Sequence, residues 1–269
     1  RYHLRGHPDL PRTPLSLTVW QQLRFALAAA GINLTENERH LARLHNQHAG
    51  ERAFIIGNGP SLNQHNLDLL ATEVTFGTNN IHLRSDPTYY VVEDYLIAED
   101  RADEINPYNG AQIKFAGNYL RYCLAESVKT VWLNIPYDYT DFPGFPHFST
   151  DARRAIYVGG TVSYLCMQLA FYMGFTEVYL IGFDHSYDVQ SDAPPDGNRL
   201  IARGDDLNHF SADYLRKGDR WHVPNIGRME RAYVRARKTY EQHGRTIANA
   251  TIGGQLEVFE RVSYDSLFR

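Results

Sequence analysis

The chain has 269 residues, of which 43% are hydrophobic and 22% are charged, and its formal net charge is −4 at pH 7. This composition excludes a disordered chain, and the small negative charge provides no general attraction to nucleic acid or to an anionic membrane. A chain of this length and composition is expected to form one globular domain that binds no nucleic acid.

Cysteine content and hydropathy further narrow the class of protein to which the chain can belong. Cys123 and Cys166 lack C-x-x-C spacing, which argues against a disulfide scaffold or a zinc site and favours two buried thiols. No apolar stretch reaches the roughly 20 residues of a membrane helix, and no secretory signal opens the chain. The sequence therefore predicts a cytoplasmic protein without a transmembrane segment. Because the first residue is Arg1 rather than Met, we also expect a piece of a longer polypeptide.

Residues 1–50 are predicted to form a linker and a helical appendage. The polar opening at 1–14 contains several prolines and is typical of a linker. Apolar residues then recur at helical spacing over 15–32 and again over 34–50, with Thr35 placed to cap the second helix. We therefore expect two helices before the main domain.

The main domain is expected to span residues 51–269, where short β-rich runs alternate with turns and helices. This alternation predicts a Rossmann-like α/β fold, with a mostly parallel sheet covered by helices on both faces. In such sheets, ligands bind at the carboxyl ends of the strands. The main helices are predicted at 160–175 and 225–244. The strands are predicted at 53–57, 73–79, 88–94, 111–117, 129–135, 176–184 and 245–251.

The first strand ends in the segment FIIGNGPSL, which covers residues 54–62. Gly57 and Gly59 permit a close backbone approach, Asn58 lies between them, and Ser61 could cap a short helix that begins at Leu62. A phosphate could bind to the N–H groups of this turn. A tight strand-to-helix turn without a ligand is the alternative, because the segment lacks the third glycine of a dinucleotide motif and the lysine of a P-loop.

Polar residues also follow the second and third strands. Asn79 offers a donor and an acceptor to a sugar or a base, and Asp94 could hold hydroxyl groups or a cation. Gly160 and Thr161 precede a strongly apolar helix, where they could contact an anion or simply cap the helix.

The later half of the chain supplies candidates for acid–base chemistry. Asp184 and Tyr187 follow the sixth predicted strand, and His209 and His222 follow the polar segment 188–207, which we interpret as an active-site lid. Imidazole titrates near neutral pH, so either histidine could act as a general acid or base. Neither metal-ligand spacing nor a serine hydrolase motif is present.

The predicted helix at 225–244 carries a group of basic side chains. We expect these residues on the solvated face of an amphipathic helix, with contact to a phosphorylated partner as the alternative. They are Arg228, Arg231, Arg235, Arg237 and Lys238.

Several segments occur in a specific order: FIIGNGPSL, FGTNN, TYYVVEDYLIAED, GGTVSYLCMQLAFYMGFTEVYLIGFDHSY, NHF and NATIGGQLEVFERVSYDSLF. Their combination resembles the bacterial MptE-like domain, the former domain of unknown function 115. That superfamily includes archaeal 6-hydroxymethylpterin diphosphokinase and Maf-type flagellin glycosylation proteins. The chain is also similar, more distantly, to the family 42 sialyltransferases, which share the Gly-Asn-Gly-Pro-Ser turn and a later strand ending in Gly-x-Asp. The resemblance covers the chain from about residue 51 to its end.

The sialyltransferase resemblance implies a donor site and a catalytic base. It implies that Tyr187 binds the departing phosphate and that His222, with His209 as the competitor, is the base. Asp94 stands where those enzymes have asparagine, which favours the MptE-like branch. The residues implied to hold the CMP part of the donor are Gly57, Asn58, Gly59 and Asn79, and the helix start at 159–161 matches a small-residue segment of that family.

These implications favour a glycosyltransferase that uses a nucleotide-activated sugar, with a CMP-linked sugar of the nonulosonate or Kdo type preferred. Its expected acceptor is a bacterial surface glycan or glycoprotein, and it needs no obligatory metal. The alternative is pyrophosphoryl transfer from ATP, in which Asp94 and Asp184 would hold magnesium. A second alternative is a non-catalytic module that binds a nucleotide or a glycan. Formation of a homo-oligomer is left open.

Overall fold

The computed structural model describes most of the chain: residues 19, 23–24, 26–28, 30–135, 145–188, 199–202, 204 and 206–269. The linker expected at 1–14 lies outside these residues. Parts of the first predicted helix also lie outside them. The same is true of the greater part of the segment interpreted as a lid, namely residues 189–198, 203 and 205.

The strands form one large sheet and one small hairpin. They are β1 (Arg52–Ile56), β2 (Val74–Thr78), β3 (Tyr89–Val92), β4 (Ile113–Gly117), β5 (Thr130–Leu133), β6 (Glu177–Ile181), β7 (Arg199–Ile201), β8 (Arg220–His222), β9 (Thr246–Asn249) and β10 (Glu260–Arg261). Within the described chain, eight of them form a sheet in the order β10-β9-β6-β1-β2-β3-β4-β5, and neighbouring strands are parallel. The predicted α/β fold with a parallel sheet is confirmed.

The strand order reverses next to β1. The chain moves outward from β1 through β2, β3 and β4 to β5, and then returns to place β6 on the other side of β1. β1 and β6 pair in register, with Ile56 opposite Ile181. Such a reversal opens a crevice at the carboxyl ends of the two strands, which is where ligands bind in open α/β sheets.

Helices and short 3₁₀ segments connect the strands. The α-helices are α1 (Glu36–Leu44), α2 (Tyr95–Asp100), α3 (Ala102–Ile105), α4 (Ser163–Tyr172) and α5 (Ile226–Gln242). The 3₁₀ helices are Pro60–Gln64, Leu67–Leu70, Asn79–Leu83, Asn118–Tyr122 and Tyr264–Phe268.

Both faces of the sheet are covered. All ten residues of α4 are buried, as expected for a helix that is apolar on every side. The amphipathic α5 packs over α4, where the Tyr240 hydroxyl donates to the Met167 carbonyl at 2.7 Å. On the opposite side, the ring of Phe54 in β1 stacks on Phe268 and meets the edge of Tyr264. Buried residues on both sides of the strands form one continuous core.

Helix α1 begins where the sequence predicts and covers the edge of the sheet. The Glu38 N–H donates to the Thr35 hydroxyl at 3.2 Å, and the Thr35 N–H donates to the Glu38 carboxylate at 2.9 Å, which forms a capping box. The Asn37 amide pairs with both backbone groups of Trp132 in β5, at 3.0 and 2.7 Å. The helix is therefore docked on the edge strand rather than extended from the domain.

No helix among the described residues combines the length and the apolar character that a bilayer-spanning segment requires.

Candidate functional site

A cleft of about 830 Å³ lies at the carboxyl ends of the parallel strands. It is bounded by the ends of β1, β2, β3 and β6, by the starts of α4 and α5, and by the β7–β8 hairpin with the segment before β8. Most of the predicted site residues line it together: Gly57, Asn58, Gly59, Asn79, Asp94, Gly160, Thr161, Asp184, Tyr187, His209 and His222.

The two glycines of the first turn are required by the neighbouring strand. A Cβ atom on Gly57 would lie 2.4 Å from the Gly182 carbonyl oxygen, and a Cβ atom on Gly59 would lie 1.9 Å from Oδ2 of Asp184. The Gly57 N–H donates to the Ile181 carbonyl at 2.7 Å, and the Gly59 N–H donates to the Gly182 carbonyl at 3.0 Å. The glycines thus let the end of β1 close against the end of β6.

Two further donors of this turn, both on Ser61, bond to Asp184. The Ser61 N–H donates to Oδ1 of Asp184 at 3.1 Å, and the Ser61 hydroxyl donates to Oδ2 at 2.7 Å. The 3₁₀ helix begins at Pro60 rather than at Leu62, and Ser61 is buried behind the cleft wall. The prediction that Ser61 caps a short helix is therefore wrong, and its predicted contact with a ligand stays a prediction. A carboxylate of the chain itself occupies the place that a phosphate was expected to take.

Two asparagine side chains present unpaired oxygen atoms. The Asn58 amide nitrogen donates to the carbonyl and the hydroxyl of Thr78, at 3.3 and 3.0 Å, which fixes the direction of its Oδ1 atom. Oδ1 of Asn58 and Oδ1 of Asn79 are buried and have no hydrogen-bond partner among the described residues. Buried acceptors usually have donors. A ligand with hydroxyl or amino groups would therefore complete this wall of the cleft.

Asp94 connects the sheet to His222. It follows β3 and caps α2, because its Oδ1 accepts the Leu96 N–H at 2.9 Å. Its Oδ2 lies 3.2 Å from Nδ1 of His222, and the Tyr95 ring meets the imidazole edge-on at 5.3 Å. A carboxylate bonded to one ring nitrogen orients the imidazole. The arrangement is that of a general base with its orienting acid.

His209 forms a second histidine–aspartate pair. Its Nδ1 lies 2.5 Å from Oδ2 of Asp206, whose side chain is almost fully buried. The imidazole stacks on the Tyr214 ring at 3.8 Å between centroids. The sequence predicted His209 and His222, but it did not predict that Asp206 and Asp94 would be their partners.

Tyr187 and Thr161 contribute hydroxyl groups to the cleft lining. Burial raises the pKa of Tyr187 to about 12, and the Asp184 carboxylate adds to this rise. The phenol is therefore protonated at neutral pH and can donate a hydrogen bond. The Thr161 hydroxyl accepts the Ser163 N–H at 3.3 Å, and Gly160 before it has a left-handed φ of +83°.

The structure adds Arg228 and His185 to the cleft. Arg228 lies in the first turn of α5 and is half-buried, so its predicted place on a solvated helix face is wrong. His185 is buried, and its Nε2 lies 3.4 Å from Oε1 of Glu230. No local sequence signal marks Arg228, because its place in the cleft depends on which helix start reaches the strand ends.

Within the described residues, no group of three or more His, Cys, Asp or Glu side chains is arranged to hold a metal ion. The expectation that no metal is obligatory stays a prediction.

No model of a known protein family matches the chain, and a search of curated proteins finds no match. The resemblance to MptE-like domains and sialyltransferases therefore stays a prediction, and the functional argument rests on the geometry of the cleft.

Proposed function

We propose that the chain is a glycosyltransferase that uses a nucleotide-activated sugar. The observation that carries this proposal is the pairing of His222 with Asp94 inside the cleft. A histidine oriented by a carboxylate suits the removal of a proton from an acceptor hydroxyl. On the same wall, the unpaired oxygens of Asn58 and Asn79 suit the hydroxyl and amino groups of a nucleoside.

In the proposed reaction, His222 removes the proton of an acceptor hydroxyl as its oxygen forms a bond to the anomeric carbon of the donor sugar. The bond between that carbon and the phosphate oxygen breaks, and the nucleotide leaves with the bonding electrons. Tyr187 is placed to donate a hydrogen bond to the departing phosphate. A CMP-linked sugar remains the preferred donor, and a bacterial surface glycan or glycoprotein the preferred acceptor.

The contacts of two carboxylates favour glycosyl transfer over pyrophosphoryl transfer from ATP. The carboxylates that would hold magnesium already have partners in the chain: Asp94 accepts from Leu96 and pairs with His222, and Asp184 accepts from Ser61. Among the described residues of the cleft lining there is no lysine for a triphosphate. The two histidine–aspartate pairs favour an enzyme over a non-catalytic binding module.

The first test measures nucleotide binding by calorimetry. CMP, UDP, GDP and ATP are each titrated into the protein with magnesium and with EDTA. We expect metal-independent binding of one nucleotide product, with loss of affinity in Asn79→Ala. Binding of ATP alone that requires magnesium and is lost in Asp94→Ala would favour the diphosphokinase. The absence of binding across the panel would favour the non-catalytic module.

The second test compares the two histidines. We expect His222→Asn to lower the rate of nucleotide release from the donor by about 10²- to 10⁴-fold, because general base catalysis contributes that much. Asp94→Asn should lower the rate less, since the imidazole remains but is no longer oriented by a charge. His209→Asn is the matched control. A loss confined to His209→Asn would assign the base to that residue and overturn the role of His222.

A further inference from the structure

The phosphate of the proposed donor needs a positive partner, and the first turn does not provide one. Its Gly57 and Gly59 N–H groups bond to β6 and the residue after it, and its Ser61 donors bond to Asp184. The carboxylate at this position would repel a second anion. The phosphate must therefore bind elsewhere in the cleft.

The charges of the cleft leave one candidate. Among the described residues of the lining, Arg228 is the only arginine and no lysine is present. The imidazoles of the lining already face carboxylates of the chain: His185 faces Glu230, His209 faces Asp206 and His222 faces Asp94. Tyr187 offers a neutral donor only. Arg228 is therefore the residue of the described lining that can compensate the negative charge of the phosphate.

Arg228 is placed at the meeting point of two helix starts. It lies in the first turn of α5, and a Cβ atom on Gly160, just before α4, would lie 3.4 Å from its Cγ and 3.5 Å from its Cδ. Its guanidinium lies 5.2 Å from the centre of the Phe145 ring. Its Nε atom is buried and has no hydrogen-bond partner among the described residues. An anionic ligand bound here would supply the acceptor that this nitrogen lacks.

We propose that Arg228 binds the phosphate of the nucleotide donor, in the part of the cleft between the starts of α4 and α5. This inference rests on the proposed function for the identity of the phosphate. Arg228 donates from its Nε atom to the phosphate oxygens, and the positive ends of the two helices add to the attraction. The nucleoside then extends toward the unpaired oxygens of Asn58 and Asn79.

The chain offers a matched control in Arg231. Its guanidinium also lies 5.2 Å from the centre of the Phe145 ring, and it belongs to the same helix. Arg231 does not line the cleft. Replacing either arginine by glutamine removes one positive charge from the same region, so only a direct contact with the ligand separates the two variants.

The experiment compares Arg228→Gln, Arg228→Lys and Arg231→Gln with the unaltered protein by calorimetry against CMP, cytidine and inorganic pyrophosphate. We expect Arg228→Gln to weaken CMP binding by about 10- to 100-fold, the effect of losing a hydrogen bond to a charged group, and to leave cytidine binding unchanged. The affinity of Arg228→Lys for CMP should lie between those of Arg228→Gln and the unaltered protein, because lysine keeps the charge but not the planar donor group. Arg231→Gln should bind CMP with the same affinity as the unaltered protein. Thermal unfolding of each variant verifies that it is folded.

The outcomes separate this inference from the proposed function. Equal effects of Arg228→Gln and Arg231→Gln, or an equal loss of CMP and cytidine binding, overturn the phosphate site. If CMP does not bind but pyrophosphate binds and requires Arg228, the anion site is supported and the choice of donor is wrong. If neither CMP nor pyrophosphate binding depends on Arg228, the inference fails even where the nucleoside binds.

Discussion

Gly59 shows how a single residue shapes the cleft. A Cβ atom at this position would lie 1.9 Å from Oδ2 of Asp184, so any larger residue must displace the carboxylate that binds Ser61. The hydrogen bonds of Asp184 would be lost together with the close approach of the two strand ends.

We therefore expect Gly59→Ala to lower the free energy of unfolding by about 2 kcal/mol, the usual cost of overpacking. Gly227→Ala is the control, since a Cβ atom on Gly227 in α5 meets nothing within 4 Å. That variant should be unchanged or more stable by less than about 1 kcal/mol, because alanine favours a helix over glycine. Chemical denaturation measures both. Equal stability of the two variants would show that Asp184 moves without cost.

Some residues of the site were predictable and others were not. Asn79, Asp94 and Asp184 were found because parallel strands end at a common edge, so the residue after each strand is a candidate whatever the rest of the sequence. Asp206 and Arg228 were not, because their roles depend on which loop and which helix start reach that edge. The pairing of His222 with Asp94 joins residues 128 positions apart, so local spacing does not indicate it. The pairing of His209 with Asp206 is local, since the two residues are three positions apart.

Among the elements, α2 has a disproportionate role. Asp94 at its start orients His222, which belongs to the β7–β8 hairpin. The residues at its end contact the same hairpin. Asp100 accepts from Nη2 of Arg220 in β8 at 2.5 Å, and Arg101 donates from Nη2 to Asp219 at 2.5 Å. In the first ion pair the end of α2 supplies the carboxylate, and in the second the next residue supplies the guanidinium. A helix of six residues therefore fixes β8 at two points.

We expect Arg101→Gln to destabilise the protein by about 3 kcal/mol, because Arg101 is 1% exposed and its removal leaves Asp219 without its charged partner. Urea unfolding provides the measurement. Arg39→Gln, which removes an exposed ion pair with Glu36, is the comparison and should cause little measurable loss. If the two variants lose the same stability, the ion pairs of α2 do not hold the hairpin.

The longer elements were predictable because their patterns are local. Each run predicted as a strand overlaps one of β1 to β6 or β9, with β1 beginning one residue before its predicted start, and α1, α4 and α5 lie inside predicted helices. The strands β7, β8 and β10 have only two or three residues, so their existence depends on a partner rather than on propensity. Helix α2 was missed for the same reason, since it begins at once after β3 and is short.

On the scale of the whole molecule, buried phenols link stability to alkaline pH. Burial raises the pKa of Tyr89, Tyr179, Tyr187 and Tyr264 to about 12, above the ordinary value of 10.0. The folded protein therefore holds these protons more tightly than the unfolded chain does. The resulting stability is intact below pH 10 and decreases as the pH rises from 10 toward 12.

We expect the unfolding midpoint in urea to fall steadily over this pH interval. Tyrosinate absorbance followed together with circular dichroism should show part of the phenols ionising only as the native signal disappears. The chain in concentrated urea is the control and should titrate near the ordinary value of 10.0. Complete ionisation near that value with the native circular dichroism intact would contradict the raised pKa of these phenols in the folded protein.

Because Asp184 bonds to Ser61, the Gly-Asn-Gly-Pro-Ser turn has to be interpreted together with the residue at position 184. The turn alone resembles a receptor for an anion, but the chain supplies that anion from a residue more than a hundred positions away. In this chain, the carboxylate that follows the Gly-Phe pair after β6 thus occupies the Ser61 donors that a phosphate could otherwise use. In any chain with this turn, the identity of that distant residue should be determined before a phosphate is assigned to it.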